Sequence, residues 1–318
     1  MALDRAANPV MTLSKDGGCH MALRYWLIIV ALAFGWGSSF FFNEILLREL
    51  GPLWVAAGRV SMGALGCWVW LATRRRIGWV GWPMVGHLFV FGLLQYAVPL
   101  TVYPLGQQVI TSSAAGIINA MTPIMVVVVS HLWPGGERAT VLKSIGVVLG
   151  FSGIVLLALP SLGGVAESSP WGLLFTMIAP LCYGLAMNYL RQMDAMDRAA
   201  LTAWSLALGA MVLVPVALVT EGVPHIQRAE TWAALLVIGF VLTAAAFLVL
   251  FWLIPRIGGT TASTITFIAP VSSLLLGVLV LKETVLPIQF LGFAVILGGL
   301  LFIDGRLFRV WRKDQPNG

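Results

Sequence analysis

Charge is scarce in this sequence. Asp, Glu, Lys and Arg make up 10% of the 318 residues, against about 25% in soluble domains. So little charge cannot cover an aqueous surface, which excludes a soluble enzyme and a disordered chain. Cysteine is almost absent. Cys19, Cys67 and Cys182 lie far apart with no C-x-x-C pair. They read as small apolar fillers, and a disulfide-stapled scaffold is excluded. The four histidines, His20, His87, His131 and His225, form no H-E-x-x-H or similar cluster. No metal and no other cofactor is expected. No G-x-x-x-x-G-K-[ST] loop occurs, and no soluble stretch could carry a nucleotide-binding domain, so ATP-driven work is excluded. A membrane-embedded enzyme would need a nucleophile, a base or a metal cluster near an interface, and no such cluster is visible.

What is present is apolar. Residues of the AVILMFWYC set make up 59%, and the mean hydropathy is +0.93. A transmembrane helix needs about 20 apolar residues. Ten runs qualify: Tyr25–Leu47, Leu53–Thr73, Met84–Gly106, Ser112–Trp133, Val141–Leu159, Trp171–Leu190, Leu201–Val219, Trp232–Ile254, Thr260–Leu281 and Pro287–Ile303. The chain is read as an all-α integral membrane protein of ten transmembrane helices. The first run is too long for the h-region of a cleaved signal. Residues 1–24 and 305–318 are polar tails, the first expected to be without regular structure. The net charge of +6 does not point to nucleic acid, because the basic residues sit between apolar blocks. With both termini in the cytoplasm, 15 of the 19 Lys and Arg residues fall in inside segments. Three, Arg48, Arg228 and Lys282, fall outside, and Arg59 lies within a span. That is the positive-inside pattern.

The sequence also repeats itself. Trp36-Gly37 recurs as Tyr183-Gly184, and Pro123 recurs as Pro270, both at an offset of 147. Glu137…Gly146…Gly153 recurs as Glu283…Gly292…Gly299 at an offset of 146. The units are 25–160 and 170–304, each of five spans. Five is odd, so the second unit must lie upside down relative to the first. Inverted repeats are a common architecture of secondary transporters, where two halves rock about a central site.

Ionisable groups inside the spans are few, and such groups are costly and often functional. Glu44 and Arg59 qualify. They lie seven residues before and eight residues after Gly51, so at about 1.5 Å per residue both sit some 10–12 Å below one membrane edge. They are expected to pair, as a buried clasp or as a gate. No other carboxylate lies mid-span, which disfavours carboxylate-based proton coupling and selection of cations. A neutral or zwitterionic substrate follows. Trp36, Ser39, Tyr96, Tyr103, Asn119, Tyr183, Asn188 and Thr264 are the candidate substrate-binding residues, as hydroxyls, amides and rings within spans. Pro123 and Pro270 are candidate flexing points, since proline frees a carbonyl and kinks a helix. Gly146-x-x-x-Gly150 in span five, with the glycines of span ten, marks packing or dimer surfaces. The chain is expected to be a monomer or a weak homodimer in the bilayer.

Three stretches resemble the drug/metabolite transporter superfamily in its ten-span EamA branch. They are Trp36-Gly37-Ser38-Ser39-Phe40, Pro52…Ala56-Ala57-Gly58-Arg59, and the twice-used pattern Pro123…Gly136-Glu137-Arg138-Ala139-Thr140…Gly146…Gly153 and Pro270…Lys282-Glu283-Thr284…Gly292…Gly299. The likeness spans about residues 25–303. Glu44 and Ser39 depart from the Lys and Asn common in that family. The resemblance implies that spans one to four and six to nine surround a central cavity, with five and ten peripheral. Among branches, the aromatic-rich spans are most similar to bacterial aromatic amino-acid exporters. That implies facilitative efflux of aromatic amino acids, and also of threonine or methionine, across the bacterial inner membrane. The rival is a proton-coupled multidrug or metabolite efflux protein titrating through Glu44.

Overall fold

The computed structural model describes residues 11–13, 19–21, 23–75, 78–193 and 196–304. Its helices, numbered in chain order, are α1 Leu23–Leu47, α2 Pro52–Thr73, α3 Trp82–Gln107, α4 Ser112–Leu132 and α5 Val141–Leu162. The second set is α6 Pro170–Met193, α7 Arg198–Glu221, α8 Ala229–Ile257, α9 Ile265–Leu279 and α10 Pro287–Asp304. A separate turn, Gly259–Ala262, leads into α9. Among the described residues nine of these helices are long and apolar enough to cross a membrane, and α9 is a shorter apolar tenth. One expectation needs correcting. Two short strands, Met11–Leu13 and Cys19–Met21, pair antiparallel in the N-terminal tail.

Local chemistry sets the helix starts. Thr111, Thr140 and Ser169 accept backbone N–H bonds at the N-termini of α4, α5 and α6. Asp197 does the same for α7. Pro52 and Pro170 open α2 and α6, where a missing N–H costs nothing.

The duplication is plain in three dimensions. Leu23 and Pro170, Pro52 and Arg198, Trp82 and Ala229, and Val141 and Pro287 begin corresponding helices, and Ser112 of α4 corresponds to Gly259 of the turn that leads into α9, each pair 146 or 147 residues apart. Both halves also carry a π-helical stretch at the same place, Leu93–Ala97 in α3 and Val237–Ala245 in α8. π-turns of this kind often mark functional sites.

The two halves interlock. α1 packs on α9, and its counterpart α6 packs on α4. α2 packs along α7, and α5 along α10. The Trp-Gly and Tyr-Gly pairs gain a reason here. A Cβ on Gly37 would lie 2.1 Å from the Ala269 carbonyl oxygen, and one on Gly184 would lie 2.9 Å from that of Met125. At the periphery the glycines of α5 and α10 face each other reciprocally. A Cβ on Gly146 would lie 2.5 Å from Gly299 O, and one on Gly153 would lie 2.6 Å from Gly292 O. The small-residue faces of these two helices are therefore packing surfaces, and they pack against each other.

Candidate functional site

The interior between the halves is lined by rings. Trp36 of α1 packs on Phe247 of α8 with centroids 5.4 Å apart. Phe247 in turn meets the edge of Tyr96, from the π stretch of α3, also at 5.4 Å. Phe40 and Tyr103 form a second edge-to-face pair at 5.0 Å. The Tyr103 hydroxyl donates to Asn119 Oδ1 at 2.8 Å. The Trp36 indole N–H donates to the Leu242 carbonyl at 3.0 Å. That carbonyl belongs to the π stretch of α8, so Trp36 also ties the first half to the second.

Arg59 of α2 enters the same region. Its residue exposure is 8%. Its Nε donates to Thr243 Oγ1 at 3.0 Å, and an Nη donates to Ser39 Oγ at 3.3 Å. Thr243 is fixed in turn by its own bond to the Ile238 carbonyl at 2.8 Å, inside the π stretch. Tyr103 and Tyr183 lie within electrostatic reach of the guanidinium.

The expected Glu44–Arg59 pair does not form. Glu44 instead faces a recess of about 310 Å³ at one end of the bundle, shared with Arg48, Gln107, Gln108, Glu167 and Glu283. The charged groups acting on Glu44 are Glu283 and Arg48. Depth along a hairpin follows from residue count, but the facing direction does not. α1 and α2 are neighbours in sequence yet pack on α9 and α7 respectively. Each therefore turns its side chains toward a different partner.

Of the other candidate residues, Ser39 joins Arg59, Tyr103 joins Asn119, and Tyr96 joins Trp36 through Phe247. Tyr183 is half-buried on α6. Asn188 stands apart. It is buried near the end of α6, and its amide donates back to Gly184 O of its own helix. Thr264 sits at the break between the Gly259–Ala262 turn and α9. Pro123 follows a break in α4 at Ala120 and Met121. Pro270 lies inside an uninterrupted stretch of α9.

Three carboxylates take a capping role that the sequence reading did not assign, although Glu283 was named there as one of the repeated positions, and all lie at the end of the bundle opposite the start of α1. The Glu49 carboxylate accepts from the N–H groups of Gln227 and Arg228, each at 3.3 Å, and from the Thr231 hydroxyl. This caps α8. The Glu221 carboxylate accepts from Leu53 N at 2.9 Å and Trp54 N at 3.0 Å, capping α2. The Glu283 carboxylate accepts from Ser112 N at 2.6 Å, Ser113 N at 2.9 Å and Ser113 Oγ at 2.5 Å, capping α4. Each acid belongs to one half and each capped helix to the other. A carboxylate at a helix N-terminus satisfies orphan N–H groups and complements the helix dipole. Glu49, in the turn outside the spans, is held below the ordinary carboxylate value, first by the Thr231 hydroxyl and then by the two backbone bonds. Beneath Glu283, Gln107 Nε2 donates to Phe40 O and Ser112 Oγ, and Asn43 donates to Gln107 Oε1. This network ties α1, α3 and α4 together.

The counterpart of Glu283 in the first half is Glu137, at the opposite end. Among the described residues its carboxylate pairs with Lys143 of its own half, and its side chain is 64% exposed. Cross-half capping by this repeated glutamate thus occurs at one end of the molecule. The sequence signal for it was the repeated Glu itself, read together with the Ser-Ser start of α4.

Known proteins are similar to this chain in sequence or in fold. The model of the EamA-like transporter family matches residues 23–159 and again 170–304. The chain is 25% identical over 286 residues to YoaV, an uncharacterized transporter of Bacillus subtilis, covering 89% of this chain and 95% of that one. It is 26% identical over 288 residues to the protein PecM of Dickeya dadantii, covering 88% and 93%. It is 22% identical over 280 residues to YedA of Escherichia coli K12, described as an uncharacterized inner membrane transporter, covering 86% and 89%. A crystal structure sharing 19% identity superposes with a TM-score of 0.64 and covers 93% of this chain and 99% of that one, which shows a common fold. With ten apolar helices in two inverted repeats and the family model matched once per repeat, this multi-pass membrane protein belongs to the EamA-like transporter family.

Proposed function

We propose that the protein is an inner-membrane secondary transporter that exports aromatic and other neutral amino acids, threonine and methionine among them, by facilitative alternating access. The observation that carries this reading is the ring-lined, hydroxyl-bearing interior held between two inverted halves. Rings accept an apolar or aromatic side chain, and hydroxyls and amides hydrogen-bond the polar groups of a zwitterion. With both termini cytoplasmic, as the Lys and Arg distribution favours, the three cross-half caps lie on the outer face. The conformation then has its outer face clasped, with Glu137 unclasped on the inner face. The chain works as a monomer in this reading, since α5 and α10 cover each other. Proton-coupled efflux of apolar cations through Glu44 has less support. Glu44 lines the recess, and the charge that the described residues place among the rings is the cationic Arg59.

Purified protein in liposomes loaded with labelled tryptophan or threonine tests the reading. Flux down the substrate gradient, insensitive to a pH gradient and competed by other neutral amino acids, is the expected result. No amino-acid flux, with pH-dependent movement of an apolar cation that Glu44→Gln abolishes, overturns it.

A further inference from the structure

We propose that Arg59 is the anchor for a carboxylate on the substrate, so that the cargo is an organic acid group attached to an apolar or aromatic body. The proposal deepens the transporter reading above and rests on it.

Four observations converge. First, Arg59 is more than nine-tenths buried within a span, and a guanidinium stays charged at any physiological pH. Second, its contacts are two neutral hydroxyls, Thr243 and Ser39. A guanidinium has five N–H donors, so most of its fork is uncommitted to them. Third, among the described residues no carboxylate pairs with the guanidinium. The carboxylate at matching depth, Glu44, faces the recess instead. Fourth, the fold does not need a cation there. At the corresponding turn of α7 the second half carries Ser205 and Leu206, both fully buried and uncharged. The duplicated architecture closes around neutral residues at one copy and around a lone cation at the other.

A buried charge without a counter-charge is strongly unfavourable. In a membrane such residues face a pathway or a cavity and mark a ligand. The group that best matches the fork is a planar carboxylate, which can take two parallel N–H bonds. The surroundings define the rest of the molecule. Thr243 lies one helical turn from Phe247, which packs on Trp36, and Ser39 adjoins Phe40, which packs on Tyr103. A carboxylate at Arg59 therefore leaves its organic portion among rings. Thr243 and Ser39 act as positioning residues, holding the fork from α8 and α1.

The test uses full-length protein in detergent and calorimetric binding of L-tryptophan, indole-3-propionate, tryptamine and indole, with L-threonine and threoninamide as a non-aromatic pair and inorganic phosphate as a simple anion. The carboxylates are expected to bind at least about tenfold more tightly than their partners lacking the group, a difference close to one good hydrogen-bonded contact. Arg59→Lys should keep the preference in weakened form, and Arg59→Gln should erase it. The wild-type comparison needs no variant, so a misfolded Arg59→Gln leaves the test intact. Tryptamine, indole or threoninamide binding as tightly as its carboxylate partner overturns the anchor, as does binding of none of the carboxylates. Phosphate binding at Arg59 without any organic carboxylate also overturns it. Liposome flux separates the two readings. Tryptamine carried as fast as tryptophan sinks the anchor and leaves the transporter. Carboxylate-selective binding without any flux leaves the anchor and sinks the transporter.

Discussion

Glu283 offers the sharpest test of the one-sided closure. Its Oε1 accepts from Ser112 N at 2.6 Å, and its Oε2 accepts from Ser113 N at 2.9 Å and Ser113 Oγ at 2.5 Å. Glutamine keeps the size but turns one acceptor into a donor. The better rotamer leaves the amide oxygen where two bonds meet and aims an N–H₂ at the N–H of Ser112. One charge-assisted hydrogen bond is lost, worth about 1.5–3 kcal/mol, together with about 0.3–1 kcal/mol of favourable charge at the start of α4. The closed state should therefore weaken by about 2–4 kcal/mol, a factor of about 30 to 1,000 in the opening equilibrium. Ser273→Cys reports on it. Ser273 is buried between α9 and α4, with its hydroxyl donating to Ser112 O at 3.0 Å. In a background lacking the native cysteines, a membrane-impermeant maleimide added from the clasped side should label Cys at 273 faster by that factor when Glu283→Gln is present. Unchanged labelling in a folded protein would refute the clasp as the element that holds this end shut.

Glu49 predicts a pH window. Its carboxyl is lowered from 4.5 by the bonds it accepts. The charged form therefore favours the capped state. That contribution is complete above the ordinary value and is lost only as pH falls through the lower, folded one. The protection factors of the Gln227 and Arg228 amides, measured against the intrinsic exchange rate at each pH, should be flat from neutral down to about pH 5, and Glu49→Gln should lower them at neutral pH. Gly153→Ala must push apart α5 and α10, because its Cβ would meet Gly292 O at 2.6 Å. A loss of about 1–3 kcal/mol in thermal stability is expected, with tryptophan affinity unchanged. Tyr103→Ala combined with Tyr183→Ala should abolish tryptophan flux in liposomes, and flux at the wild-type rate would argue against the ring-lined interior as the pathway.

Much of this molecule was legible from periodicity and repetition. Apolar runs of membrane length place all ten helices to within a few residues, because lipid leaves no alternative to the helix for a spanning segment. The repeat was legible because close backbone approach demands glycine at Gly37 and Gly184 in both copies. The facing of side chains was not. Glu44 and Arg59 share a depth, yet α1 and α2 turn toward different helices, so the pair is absent. The caps by Glu49, Glu221 and Glu283 escaped notice for a related reason. A carboxylate at a helix end reads as solvated until its partner, far away in sequence, is brought beside it. The pairing of Met11–Leu13 with Cys19–Met21 was hidden by the polar composition of the tail.

The glycine seam between α5 and α10 limits how the molecule can move. At Gly146, Gly153, Gly292 and Gly299 the two backbones touch with no side chain between them. Sliding one helix along the other by a single residue would drive Ile296 or Ile303 into main-chain atoms. The seam can twist but not shear. In the proposed alternating access it would serve as the axle, with one half mounted on each side. Atoms near it barely travel during a swing, and those at the far rim, where α2 meets α8, travel most. The Glu49 and Glu221 caps sit at that rim, where a latch has the greatest leverage.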